Sequence, residues 1–176
     1  SLMQKHQPLW PEDQKNTAEY LRHKAVKSMV TGMFASRMQD ILQKPETPYL
    51  MASFNEGMFL LSKVAKCTES YIVPKEGQIY PAITSAVKEM CTILDYGFLQ
   101  SELDRRRASF LSSIDLQYQN RNKRENSAFI QDCLDNFLEN EPLVSIEDEV
   151  NAYKQILPTV TLDEVNTLYA KMFTRD

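Results

Sequence analysis

Histidine is almost missing from this chain: His6 and His23 are the only two among 176 residues. They sit in unrelated contexts, Lys5-His6-Gln7 and Arg22-His23-Lys24, and no H-E-x-x-H or H-x-x-E-H joins them. Both read as surface histidines. Cysteine is scarce too, with Cys67, Cys91 and Cys133 at wide spacing and no C-x-x-C. An odd set of this kind argues against a disulfide framework or a structural zinc site, reads as buried free thiols, and leaves the compartment open. The four glycines are scattered, so no phosphate-cradling loop exists, and no G-x-S-x-G elbow supports a nucleophilic triad. Positive charge is in deficit, with 20 Lys+Arg against 24 Asp+Glu and a net charge of −4. That balance speaks against nucleic acid, whose phosphates need a basic face. No apolar run approaches the roughly 18 residues of a membrane span, and the first residues lack a charged-then-apolar signal pattern.

What is present is enough apolar residue for one core, 43% of the chain, with 25% charged. A single chain of this length typically buries about 70% of its unfolded surface, so residues 1–176 are expected to form one domain. A Ser1-Leu2 start without an initiator Met, and a strand-like lead-in from Leu2 to His6, lead us to expect a piece of a larger polypeptide. From Asn16, a cap with Glu19 three residues on, apolar side chains recur at helical spacing through Met29, Val30, Met33, Phe34, Met38 and Leu42. Pro45 and Pro48 stop that helix. Strands are expected at Tyr49–Phe54, Met58–Ala65 and Thr68–Val73, with a turn at Asn55-Glu56-Gly57. Pro81 suits the first turn of the next helix, which Gly97 ends. Ser101 with Asp104 should then cap a long charged helix, and the run Asn120 to Asn126 should bend the chain. Three helices follow, carried by Phe129 to Leu138, by Ser145 with Asp148, and by Thr161 with Glu164. The fold class is α+β, a small antiparallel sheet packed against helices in a two-layer sandwich.

The residues hold little chemistry of their own. Glu12-Asp13, Glu102 with Asp104, and Glu147-Asp148-Glu149 could grip a cation, but acidic residues at helix starts are ordinarily there for the dipole. Arg105-Arg106-Arg107 and Arg121, Lys123 and Arg124 could bind phosphate or an acidic partner, and read first as a solvated face. Met29, Met33 and Met38 fall at core positions. On composition and spacing the chain is a scaffold or partner domain without a self-sufficient active site.

Five stretches in order resemble one family. They are Phe34-Ala35-Ser36-Arg37-Met38-Gln39-Asp40-Ile41, Lys44-Pro45-Glu46-Thr47-Pro48-Tyr49, Asp95-Tyr96-Gly97-Phe98-Leu99-Gln100-Ser101-Glu102-Leu103-Asp104-Arg105, Phe137-Leu138-Glu139-Asn140-Glu141-Pro142, and Leu157 through Asn166. The third is similar to a "GF-t-x-x-E-L-x-R" helix start, and together they resemble the non-catalytic carboxyl-terminal-type domain of the insulinase/pitrilysin zinc metallopeptidases, the inverzincins. That resemblance implies a unit repeated two or four times around an enclosed chamber, with the zinc motif H-x-x-E-H in the first unit. This chain lacks that motif, so the resemblance implies a later unit, most like the second, inactive by itself and holding no cofactor. Zinc would belong to the catalytic unit of the parent protein, supplied by the same chain or by a partner subunit, with a peptide as substrate. A non-enzymatic assembly subunit of the same fold is the alternative.

In the family an Arg and a Tyr of a later unit reach toward substrate, where pre-aimed donors can steady a developing oxyanion. The matching positions are Arg37 and Tyr49, with a longer separation and two intervening prolines. Read from the residues alone, Arg37 would stabilise its helix end and Tyr49 would pack at the sheet edge.

Overall fold

The computed structural model describes residues 1–59 and 65–173. Strand β1 (Leu2–His6) leads into helix α1 (Ala18–Leu42), strands β2 (Tyr49–Met58) and β3 (Lys66–Pro74), and then helices α2 (Ile79–Tyr96), α3 (Gln100–Gln119), α4 (Asn126–Glu139), α5 (Ile146–Ile156) and α6 (Leu162–Met172). Among the described residues this is an α+β fold, with the antiparallel sheet ordered β1-β3-β2.

Helix α1 is the spine. Thr17, in extended conformation, accepts the Tyr20 amide at 3.1 Å and donates its hydroxyl to the Gln14 carbonyl at 2.8 Å. The cap is therefore one residue later than Asn16, because Thr17 can serve the helix and the preceding 3-10 turn together. Met29, Met33, Phe34 and Met38 are buried, as their spacing predicts. At the far end the Thr47 hydroxyl donates to the Ile41 carbonyl at 2.6 Å, closing the turn between the prolines.

The sheet corrects the expected strand boundaries. β2 does not turn at Asn55-Glu56-Gly57; it continues, pairing Asn55 with Glu69, Glu56 with Thr68 and Gly57 with Cys67. Each of those residues finds a ladder partner on β3, and Glu56 is anchored to Lys27 of α1 at 2.7 Å. The strand expected over Met58–Ala65 falls mostly on residues 60–64, outside the described residues. β1 pairs with β3 from Leu2↔Ser70 to His6↔Lys66. The inward side chains Tyr49, Ala52 and Phe54 meet α1 in the core.

The core continues as a row of aromatic rings. Phe34 lies 5.1 Å from Phe54, Phe54 lies 5.5 Å from Tyr169, and Tyr169 meets Phe98 edge-on at 5.5 Å. Such pairs each add about 0.5–1.5 kcal/mol beyond the area they bury. The Tyr169 hydroxyl donates to the Met90 carbonyl at 3.0 Å, so the row fixes α6 against α2. Helices α5 and α6 carry the expected caps, Ser145 accepting the Asp148 amide and Thr161 pairing reciprocally with Glu164. Arg22 of α1 forks onto Glu164 at 2.7 and 2.9 Å and, with the Thr161 amide, holds that carboxyl down at about 2.

Three expectations need correction. Helix α3 starts at Gln100 behind Leu99, not at a Ser101 cap, because Glu102 turns back to receive the Leu99 amide at 2.6 Å. Of the cysteines Cys67 is buried, but Cys91 is half-buried and Cys133 exposed. Arg106 and Arg107 are not a solvated face. Arg107 donates to the carbonyls of Leu157 and Val160, both at 2.9 Å, and Arg106 crosses to α1, donating to the carbonyl and hydroxyl of Ser28 at 3.2 and 3.0 Å.

Arg106 rests on Gly32, where an added Cβ would meet its guanidinium at 2.2 Å. Alanine is ordinarily worth about 1 kcal/mol over glycine inside a helix. Here Gly32→Ala is expected to destabilise by about 1–3 kcal/mol through overpacking. In an Arg106→Ala background the same change should stabilise instead, and urea-unfolding midpoints of the four variants read this reversal directly.

Candidate functional site

A charged cluster surrounds Arg37, late in α1. Its Nε and Nη2 fork onto Glu102 at 2.8 and 2.7 Å. Nη1 reaches Glu89 of α2 at 3.3 Å, and Nη2 also approaches the Gly97 carbonyl at 3.4 Å. The guanidinium stacks over Phe98, 5.2 Å from the ring centre. One side chain thus binds α1, α2, the α2–α3 junction and the first turn of α3, and it is only 17% exposed.

The junction is built to receive it. Gly97 ends α2 at φ +74°, where a Cβ would strike Asn166 of α6 at 2.7 Å, so glycine is required on both counts. Its amide closes onto Ile93 at 2.8 Å, and the next amide, Phe98, donates to Asn166 Oδ1 at 2.8 Å. Burial alone would raise the Glu102 pKa, but the Arg37 fork and the Leu99 amide outweigh it and hold the carboxyl below its usual range. The same pair raises Arg37.

Tyr49 opens β2 and is fully buried. Its hydroxyl makes no hydrogen bond of good geometry. Burial, followed by the Glu89 charge, raises its pKa, while Ser85 pulls the other way. Glu89 bonds Arg37 directly, whereas on Tyr49 its charge is the smallest of the influences. The sequence reading missed Glu89 altogether and read Glu102 as helix-start decoration. Glu102 stands in the stretch that carries the family resemblance, but its capping place three residues after Leu99 was hidden because leucine is no capping residue.

The second cluster closes the amino-terminal lead onto the end of α4. Lys15, 6% exposed, donates to the Glu139 carbonyl and pairs with Glu12 at 3.0 Å and Glu141 at 3.4 Å. Tyr20 donates to Glu141, Lys24 pairs with it at 3.2 Å, and Lys66 of β3 pairs with Glu139 at 3.0 Å. A cavity of about 130 Å³ lies beside them. Positive and negative groups match one for one, so this is a clasp. A larger cleft of about 730 Å³ separates α4 from the end of α3 and the segment from Glu141 to Glu149.

Neither histidine is a free surface group. His6 Nε2 lies 3.1 Å from the Thr68 hydroxyl, and His23 stacks against Trp10 and Tyr20 at 5.1 and 6.4 Å, with its pKa lowered by burial. Among the described residues no group of three or more His, Cys, Asp or Glu could hold a metal ion. No described helix is long and apolar enough to cross a membrane.

No family profile matches the chain, and no curated protein sequence does. Solved structures do match. The first half of the periplasmic protease PqqL from Escherichia coli superposes with a TM-score of 0.83 at 16% identity, covering 97% of this chain and 35% of that one. The complete PqqL structure gives the same TM-score and identity, with 18% of its length covered. A predicted insulinase family protease from Yersinia pestis gives 0.82 at 12% identity, covering 99% of this chain and 37% of that one. The chain has the fold of a domain from insulinase-type proteases and spans between 18% and 37% of the length of these structures.

The Arg37–Glu102 pair carries a pH signature. A carboxyl depressed in the folded state stabilises fully above its unfolded value, near 4.5, and the contribution fades as pH falls through the lowered folded value. Glu102→Gln is expected to cost about 1.5–3 kcal/mol at pH 7, where it removes charge-assisted hydrogen bonds. The difference from wild type should shrink below pH 4.5, and chemical denaturation across that range checks the sign.

Proposed function

We propose that this unit is a non-catalytic domain of a zinc-dependent metalloendopeptidase of insulinase type, helping to enclose the chamber in which the parent protein hydrolyses peptides. The observation that carries the reading is the superposition over 97% of the chain onto the first half of a protease, joined to a sequence without H-x-x-E-H. The first-half match also bears on which unit this is. By resemblance the zinc motif belongs to the first unit, and this chain lacks it, so the second unit of a first half is the position that suits both facts. The catalytic unit, on the same chain or a partner subunit, would supply zinc and its general base.

Arg37 is proposed to serve substrate from this unit, with Tyr49, fully buried, supporting it only through packing. Glu102 and Glu89 already occupy most of the Arg37 donors, so Arg37 must give up part of that network to touch substrate, or act by holding the junction in place. The two variants Arg37→Ala and Glu102→Gln separate these routes in the full parent protein. Both break the pair, and only the first removes the guanidinium. The expected outcome is a fall in peptide turnover of about tenfold or more for Arg37→Ala, a loss near 1.4 kcal/mol of transition-state stabilisation. Glu102→Gln should have a much smaller effect, and zinc content should be one per parent in both. Equal losses would assign Arg37 a structural role only, and a parent without zinc would overturn the peptidase reading.

A further inference from the structure

Helix α4 is turned the wrong way round for a helix of an isolated domain. Its apolar side chains form two i,i+4 rows, Phe129-Cys133-Phe137 and Ile130-Leu134-Leu138, on one side of the helix. That side faces out: Phe137 is 83% exposed, Ile130 61% and Leu138 47%, and no residue of α4 is buried. The side turned to the body is polar. Glu139 meets Lys66 and Lys15, Asp132 pairs with Arg124 at 2.7 Å, and Asn136 donates to the Glu141 carbonyl at 2.6 Å. Polar contacts hold this helix to the domain; Phe129 and Cys133 edge the cleft and Arg124 stacks over Phe129 at 4.7 Å, while Ile130, Leu134, Phe137 and Leu138 stay exposed.

We infer that the outward stripe of α4 is the seat for a helix of the adjacent unit of the same polypeptide, one presenting an apolar ridge of its own. The inference rests on the reading of this chain as one unit of a larger protease. Parallel i,i+4 rows are the ridges that pack into the grooves of a second helix. The face carries no charged residue of α4 itself, with Arg124 only at its amino-terminal edge, and depletion of charge is the composition of an interface core. Size decides between a tethered neighbour and a second copy. Fourteen residues of helix make a strip about 20 Å long and 10 Å wide, a few hundred Å² against the roughly 800 Å² per partner of a stable free interface. A unit joined through the chain needs less, because the tether sets an effective concentration in the millimolar range. The solved relatives carry this fold as 35% and 18% of their chains, so in them the unit has other protein to meet.

Cys133 lies in the stripe and reports on its cover. In the full native polypeptide, maleimide labelling of Cys133, read by peptide mass spectrometry, should run at least about tenfold slower than in the urea-unfolded protein. Phe137→Asp in the same polypeptide should restore labelling at Cys133 while Cys67, buried in β3, stays protected and certifies the fold. Labelling of native Cys133 at the unfolded rate would overturn the inference. Protection that disappears on dilution would overturn it as well, since it would show a second copy as the occupant. Zinc content measured on the same sample keeps the two readings apart: protection without zinc would defeat the peptidase assignment and leave the α4 seat standing.

Discussion

The fold hangs on one guanidinium. Arg37 forks onto Glu102, touches Glu89 and the Gly97 carbonyl, and stacks on Phe98. A pair this sheltered has paid desolvation on both partners, which only a well-aligned fork and further hydrogen bonds can offset. The structure meets that condition. Leu99 supplies an additional donor to Glu102, and Asn166 takes up the Phe98 amide that the sharp exit from α2 would otherwise leave unmatched. Because the fork is directional, it fixes the angle between α2 and α3 as well as their distance from α1. Gly97 has to be glycine because no side chain could follow the backbone through that turn and clear Asn166.

The ion pair and the aromatic row support each other. Phe98 is the last ring of the row from Phe34 through Phe54 and Tyr169, and it is also the surface on which Arg37 stacks. The low-dielectric wall that those rings provide strengthens the fork, and the fork orders the backbone that carries the last ring. Movement at the junction would therefore disturb α6 and the sheet along with α2 and α3.

How much of this was legible follows from range. Helix periodicity, proline stops, the Ser145 cap and the Thr161 box are local patterns, and the structure has them where the residues put them. The stretch from Asp95 to Arg105 that carried the family resemblance turns out to be the junction itself, so its residue pattern records a real geometric demand. What local pattern missed depended on partners far along the chain. Gly57 reads as a turn until β3 supplies Cys67 opposite it. Ser101 reads as a cap until Arg37, 65 residues away, orients Glu102. Arg106 and Arg107 read as solvated charge until Ser28 and the carbonyls of Leu157 and Val160 come within reach. Arg37 and Tyr49 were picked by resemblance, and Glu89, which bonds Arg37 at 3.3 Å, had no signature in the local pattern.

The orientation of α4 is a matter of competing magnitudes. Burying a large apolar side chain stabilises by about 1.5–3 kcal/mol, whereas an exposed ion pair contributes about 0–1 kcal/mol. If α4 could roll freely, the apolar rows would win and the charges would face water. It is held from doing so at both ends. The 3-10 turn at Arg121–Lys123 fixes its start, with Arg121 paired to Glu147 at 3.3 Å. At its end Asn140 takes a left-handed turn into Glu141 and Pro142, where Lys15, Tyr20 and Lys24 converge on Glu141. That clasp is partly buried and cooperative, so it can resist a torque that a lone surface pair could not. The hydrophobic free energy of the stripe is thus kept out of the fold of this unit and left for whatever packs on it.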